Sequence, residues 1–258
     1  MTLTRELKRR GVNVIARTAV DRVDTGANLG ATVHYRQGDS DEDRTAYGEV
    51  VLAAIGRVPN TDADWFRSSG LKLDERGYVT VDGYGRTNLD GVWALGDITP
   101  GHALAHRAFE QGITIAEKIA GADPKPVLDD TVPQVVFSFP EAASVGLTLD
   151  QAKAREDVVE PKETAYPMLS NARMLMSGEG GSMTVVSGAF ANNPDMQVVL
   201  GVHIVSPIAS DLIAEAEQLV GNRVPLADAA RLIHPHPTFS ETLGEALLKA
   251  DGRPLHTR

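Results

Sequence analysis

Proton transfer near neutral pH asks for an imidazole held in one orientation and an acid that steadies its charged form. The stretch His234-Pro235-His236-Pro237-Thr238-Phe239-Ser240-Glu241 carries both, with His236 between two prolines and Glu241 five residues beyond it. The same residues also have structural readings. Thr238-x-x-Glu241 fits a capping box, in which the threonine hydroxyl takes the Glu241 amide proton and the glutamate reaches back to the Thr238 amide. Phe239 to Ala250 is then a helix, with Phe239, Leu243, Ala246, Leu247 and Ala250 near one face. On that reading His234 and His236 are surface histidines of a loop. A metal site built from His234, His236 and His256 is the weakest alternative. Zinc takes three or four ligands, and the prolines restrict how two rings converge, so no metal is expected.

A second constellation lies near the middle of the chain. Val92-Trp93-Ala94-Leu95-Gly96-Asp97 reads as a strand that delivers an acid to its C-terminal tip, the edge where open α/β sheets hold ligands. Gly96 lets another group approach the backbone closely. Asp97, ionised, can accept charge-assisted hydrogen bonds from sugar-like hydroxyls. Seven residues on, a helix starts at Leu104-Ala105-His106, and its first amides and positive dipole end suit a group that gains negative charge. In isolation, Asp97 is equally a turn residue closing a strand.

These residues need elements to hold them. Leu3 to Arg10 reads as a helix closed by Gly11. Val12 to Val23 reads as one or two strands, Ala31 to Arg36 as a strand, and Gln37 to Arg44 as a hairpin loop. Val50 to Ile55 is a continuous apolar run, as expected of a strand buried on both faces. A short helix over Asp62 to Gly70, strands at Tyr78 to Val81 and Gly91 to Leu95, and a helix from Leu104 to Ala120 closed by Gly121 follow. Beyond residue 130 the character changes. Val132 to Phe139, Gly181 to Ala191 and Met196 to Val205 read as strands, with helices at Leu149 to Arg155 and Ser210 to Val220. Strands with packed helices fit a separate α+β domain.

Composition narrows the function classes. The 258 residues are 42% apolar and 23% charged, ordinary for a globular protein. A net charge of −10 argues against nucleic acid or an anionic membrane as partner. No apolar run approaches the length of a membrane span, and the charged N-terminus lacks a secretory core, so a cytoplasmic location is expected. There is no cysteine, which removes a disulfide framework, a thiolate metal site and a cysteine nucleophile from this chain.

The ordered motifs resemble those of one family. Pro235-His236-Pro237-Thr238-x-x-Glu241 is similar to the C-terminal active-site motif of the flavin-dependent pyridine nucleotide-disulfide oxidoreductases, most nearly their dihydrolipoyl dehydrogenase branch. Trp93 to Asp97 followed by Leu104-Ala105-His106-Arg107-Ala108 and Gly112 resembles the family's second flavin-binding motif. Ala54-Ile55-Gly56-Arg57-Val58-Pro59-Asn60 is similar to the segment that leaves its NAD-binding domain. Pro133 to Phe137 with Pro140 to Thr148 resembles the opening of its dimerisation domain. Gly244 to Ala246 through Arg253-Pro254-Leu255-His256 resembles the tail of the dihydrolipoyl dehydrogenase branch.

The resemblance implies partial, Rossmann-like α/β domains for FAD and NAD(P), followed by an α+β dimerisation domain. Residues 1–59 would be the end of the NAD(P) domain, 60–128 the returning part of the FAD domain, and 129–258 the interface domain. It implies FAD and NAD as cofactors, a homodimer, and a lipoyl-bearing acyltransferase or another dithiol or disulfide as substrate. Asp97 would hold the ribityl chain and the Ala105 amide would lie near the flavin's pyrimidine edge, with Gly96, Leu104 and His106 also in the cofactor site and His106 positioning the helix start. Gly56 would lie beside the nicotinamide cofactor. His236 would be the base, oriented by Glu241. The family's Gly-x-Gly-x-x-Gly turns do not occur in the sequence, nor does its cysteine pair, so the chain corresponds to the second half of such an enzyme. Quinone or glutathione-type reductases of the family, and a non-catalytic dimerisation module, are the competing expectations.

Overall fold

The computed structural model describes residues 2–26 and 30–256. They fall into two units, residues 7–58 and residues 59–256 with the first turn of the N-terminal helix. That helix, α1 (Thr2–Arg9), ends where Gly11 takes a left-handed φ of 84° and the Gly11 and Val12 amides bond back to Lys8 and Leu7.

In the first unit, β1 (Thr18–Thr25), β2 (Ala31–Gln37) and β3 (Arg44–Gly48) form an antiparallel sheet in that order. A bidentate pair from Arg36 on β2 to Asp21 on β1 spans the ladder, at 2.9 and 2.6 Å. Val50 to Ile55 does not form the buried strand expected of it. Val50, Leu52 and Ile55 are 86%, 87% and 97% exposed, and no strand or bridge among the described residues includes them. A doubly buried strand exists only with hydrogen-bonded neighbours at its edges and layers over both faces. Nothing described here supplies them.

The second unit opens with α2 (Asp64–Ser68), whose Phe66 joins Val79 and Ala94 in a small core lined by Leu71, Leu73, Val81 and Ile98. The strands expected at Tyr78 to Val81 and Gly91 to Leu95 reduce to the isolated bridges Leu73↔Val79 and Arg86↔Trp93. Local turns explain this. Asp74 Oδ1 accepts from the Arg76 and Tyr78 amides, and Asp82 Oδ1 does the same for Tyr84 and Arg86. Each aspartate thereby claims amides that a ladder would use. A single 3-10 turn at Gly96–Ile98 leads to α3 (Ala105–Ile119).

The remainder is a five-stranded antiparallel sheet in the order β4-β5-β8-β7-β6. Its strands are β4 (Gln134–Val136), β5 (Glu141–Gly146), β6 (Val158–Pro167), β7 (Ser182–Phe190) and β8 (Asn193–Ser206). Between them lie α4 (Leu149–Ala154), capped by a complete Thr148/Gln151 capping box, and α5 (Ala172–Ser177), capped by Asn171. After the sheet come α6 (Ala209–Gly221), α7 (Leu226–Ala229) and α8 (Glu241–Ala250). One apolar core joins the sheet's Val145, Tyr166, Met183, Val185, Val202 and Ile204 to Ile213, Ala216, Leu243 and Leu247 of the helices. Burying a Leu or Val side chain is worth about 1.5–3 kcal/mol, so this core carries the unit.

β5 and β8 approach closely at the facing pair Gly146↔Gly201. Gly146 has φ of 79°, and a Cβ at Gly201 would stand against the Leu147 backbone. Replacing Gly201 by alanine should therefore cost about 1–3 kcal/mol. A thermal melt should then show a midpoint lower by about 2–4 °C per kcal/mol. An unchanged midpoint would mean the strands part without cost.

Candidate active site

Helix α8 is the platform of the C-terminal constellation. Thr242, Leu243, Gly244, Glu245, Ala246, Leu247 and Ala250 are all buried, so the helix has one fixed seating. It begins at Glu241, two residues later than expected. The Thr238 hydroxyl does not cap it but donates to the Pro235 carbonyl at 2.6 Å, and the chain enters the helix through the tight bonds Thr242 N to Phe239 O and Leu243 N to Ser240 O.

The Glu241 carboxylate divides its two oxygens. Oε1 accepts from His236 Nδ1 at 2.8 Å, and Oε2 accepts from the Thr238 amide at 2.8 Å. Half of the expected capping box is thus present, and the acid serves the histidine at the same time. Partial burial raises the Glu241 carboxyl, but the Thr238 amide, the His236 ring and the His256 charge outweigh it and hold the group below its ordinary range. An ionised carboxylate at the first turn also suits the helix dipole. With Nδ1 donating to the acid, Nε2 is the ring nitrogen left to face outward. The His236 side chain is 73% exposed and Glu241 21%.

His234 is not the surface residue expected. Its side chain is 8% exposed, and Nε2 donates to Glu215 Oε1 of α6 at 2.8 Å. The ring lies against Gly244, where an added Cβ would come within 2.5 Å of Nδ1. His256 in turn meets Glu245 of α8, with Nδ1 2.7 Å from Oε1 and its amide 3.2 Å from Oε2. The three histidines thus face three different carboxylates. Among the described residues no group of three or more His, Cys, Asp or Glu side chains converges on a point where a metal ion would sit.

The roles of three residues of this neighbourhood were missed in the sequence. Asn171 spans two elements, its Oδ1 capping α5 at the Met174 amide while Nδ2 donates to the Thr238 carbonyl at 3.0 Å. Glu215 lies among the ordinary acids of α6 and carries no local signal. Gly244 did carry one. A glycine inside a helix costs about 1 kcal/mol against alanine and so asks for a reason, which the His234 ring supplies.

The middle constellation is placed by α3. Gly96 is buried with φ of 72°, its amide donates to Gln111 Oε1 at 2.9 Å, and a Cβ there would touch Ala108 at 3.4 Å. Asp97 and Ala105 are exposed, and Leu104 precedes the helix as its N-cap. The first helical bond runs from Ala108 N to Leu104 O, so the Ala105, His106 and Arg107 amides lie ahead of it. His106 Nε2 donates to the Pro133 carbonyl at 2.7 Å, and buried Arg107 donates to Asp129 at 2.7 Å and to the Pro100 carbonyl at 2.6 Å. Both fix where the helix starts. Gly56 lies in the other unit, exposed, with φ of 124°.

Residues 1–112 match the family model described as pyridine nucleotide-disulphide oxidoreductase, and residues 132–247 match that of the pyridine nucleotide-disulphide oxidoreductase dimerisation domain. Similar proteins include the dihydrolipoyl dehydrogenase of Cupriavidus necator, 38% identical over 98% of this chain and 51% of its own length. That of Geobacillus stearothermophilus is 37% identical over 98% and 52%. The chain therefore spans about half the length of the curated relatives it matches. Among solved structures, LpdA of Mycobacterium tuberculosis superposes with a TM-score of 0.81 at 30% identity, over 96% of this chain and 52% of that one. The flavoprotein disulfide reductase RclA of Escherichia coli, at 22% identity and a TM-score of 0.79 over 95% of this chain and 54% of its own, shares the fold. FAD and NAD are the cofactors of this family. With two models of one family accounting for most of its residues, the chain belongs to the pyridine nucleotide-disulphide oxidoreductases and carries their dimerisation domain.

Proposed function

We propose that this chain supplies the C-terminal part of an FAD-dependent dihydrolipoyl dehydrogenase, which oxidises dihydrolipoamide to lipoamide with NAD⁺. The observation that carries the reading is the Glu241 carboxylate shared between His236 Nδ1 and the Thr238 amide. It fixes the tautomer and orientation of an exposed imidazole, which is what a proton acceptor requires. The names of the relatives support the choice of substrate.

The dithiol loses two electrons and two protons as its S–S bond forms. NAD⁺ takes both electrons and one proton, and the second proton leaves to solvent. Only a thiolate attacks a disulfide, and a free thiol ionises with a pKa near 8.5, so a base is needed at neutral pH. His236 Nε2 takes that proton, and Glu241 stabilises the imidazolium. The chain has no cysteine, so the thiols it serves belong to the substrate or to residues outside these 258. FAD, when bound, carries electrons between thiols and nicotinamide.

The residues present fit one end of a flavin. Gly96 takes a left-handed φ of 72° that a side chain would strain, Asp97 is exposed next to it, and Ala105 and His106 open a fifteen-residue helix with their amides ahead of its first bond. In this reading Asp97 holds the ribityl hydroxyls, while Gly96, Leu104, Ala105 and His106 shape the pyrimidine edge. Gly56 borders the nicotinamide. Residues 1–59, 60–128 and 129–258 are parts of the NAD(P), FAD and interface domains. The functional unit is a homodimer in which each His236 completes the partner's site, with a lipoyl-bearing acyltransferase as the source of dithiol. No described helix is long and apolar enough to cross a membrane.

Three outcomes are expected. In a longer protein that contains this chain, His236→Gln should lower dithiol oxidation by about 10²–10⁴-fold while the flavin absorbance stays. Undiminished turnover would remove His236 from the chemistry. The 258-residue chain alone should purify without stoichiometric flavin and without turnover, since neither glycine-rich turn is in its sequence. A yellow protein with a one-to-one flavin spectrum would contradict this, and a colourless dimer is also what a pure dimerisation module would give. The lowered Glu241 carboxyl stabilises the fold above the ordinary carboxyl pKa, and that contribution disappears as pH falls through the lowered folded value. Melts of wild type and Glu241→Gln should therefore differ most at neutral pH and converge on acidification. A constant gap at every pH would show that the carboxylate's charge contributes nothing.

A further inference from the structure

His234 has no part in the chemistry proposed above, yet it is the most enclosed of the histidines beside α8. Three observations bear on it. Its side chain is 8% exposed and paired to Glu215 of α6 at 2.8 Å. Gly244, inside α8, leaves room that any Cβ would close against its ring. The loop it begins is tied again four residues on, where Asn171 Nδ2 donates to the Thr238 carbonyl. Between these two ties stands His236, mostly exposed and touching Glu241.

We infer that His234 is a positioning residue. Wedged between Glu215 on α6 and Gly244 on α8, it clamps the loop so that His236 and the Thr238 amide meet the two oxygens of Glu241. The inference rests on the reading of His236 as the proton acceptor, but the clamp can be tested without any turnover.

The chemistry of the ring suits an anchor. Nε2 faces the Glu215 carboxylate at 2.8 Å, an acceptor that favours the protonated imidazolium. Glu215 from α6 and Glu241 from the start of α8 are the charges that act on it, and both favour that cation against the opposing effect of burial. Because the group is raised above its ordinary value, the stability its charge contributes is fully present below the unfolded histidine pKa and is lost as pH rises through the folded value. Glycine at 244 makes sense in the same terms. Alanine would favour the helix by about 1 kcal/mol but would displace the ring.

The test is amide exchange and histidine ring NMR on the 258-residue chain, comparing wild type with Glu215→Gln, His234→Gln and Gly244→Ala. The Thr238 amide, which donates to Glu241, reports the loop; the amides of Val185 and Val202 report the sheet. In each variant Thr238 should exchange about tenfold faster or more while the sheet amides keep their rates, as local opening requires. The through-space contact between the His236 ring and Glu241 should weaken in parallel. Glu215→Asp, which keeps the charge, should restore part of the protection. Gly244→Ala favours the helix while displacing the His234 ring, so it separates loss of the clamp from loss of the fold. Equal acceleration of Thr238 and the sheet amides would make His234 merely a stabilising residue and overturn the inference. Unchanged Thr238 exchange in folded variants would overturn it as well. Either result would leave the role of His236 to be judged by its own substitution.

Discussion

The arrangement around His236 depends on the burial of α8. Its apolar face is closed against β6 and β7 within the main core, so the helix cannot roll or slide without exposing Leu243 and Leu247. Cores packed at crystal density allow few alternative seatings. That rigidity is what gives Glu241 a direction. A carboxylate at the first turn of a loose helix would sample many partners, whereas here its two oxygens meet a ring and an amide held by the same loop.

The carboxylates of this region are also kept apart in their duties. Glu215, Glu241 and Glu245 each receive one histidine; Glu241 also receives the Thr238 amide and Glu245 the His256 amide. Charge-assisted hydrogen bonds are roughly twice as strong as neutral ones, so a histidine already committed to one acid does not compete for another. His234 is enclosed, whereas the rings of His236 and His256 are exposed, and His236 is the one that sits before the first turn of α8 beside the Thr238 amide.

Much of this was legible in the residues, and the failures have physical causes. The period of Phe239 to Ala250 marks a helix with its apolar face inward, and the spacing of His236 and Glu241 marks their meeting. The helices at α3 and α6 and the β7–β8 hairpin follow from pattern in the same way. β5 and β6 were missed because small or charged residues interrupt their alternation, and only the facing strands make them strands. Val50 to Ile55 and Gly91 to Leu95 read as strands because apolar runs look alike whether or not a neighbour exists to pair with them. Local propensity cannot report a missing partner. His234 was misread for a related reason: its partner Glu215 lies nineteen residues away, on a helix whose orientation no local pattern sets.

In the 258-residue chain taken alone, the exposed run at Val50 to Ile55 has a colloidal consequence. Six uncharged residues without proline, open to solvent, have the composition from which identical segments stack into dry, paired sheets. Glu49 and Arg57 flank the run symmetrically about Ala53, and Pro59 follows. Such flanks act as gatekeepers in one geometry only. Stacked parallel and in register, copies set glutamate against glutamate and arginine against arginine. Stacked antiparallel about Ala53, they set each glutamate against an arginine, and the repulsion becomes attraction. In the 258-residue chain taken alone, the charged flanks therefore guard the run against parallel stacking and not against antiparallel stacking.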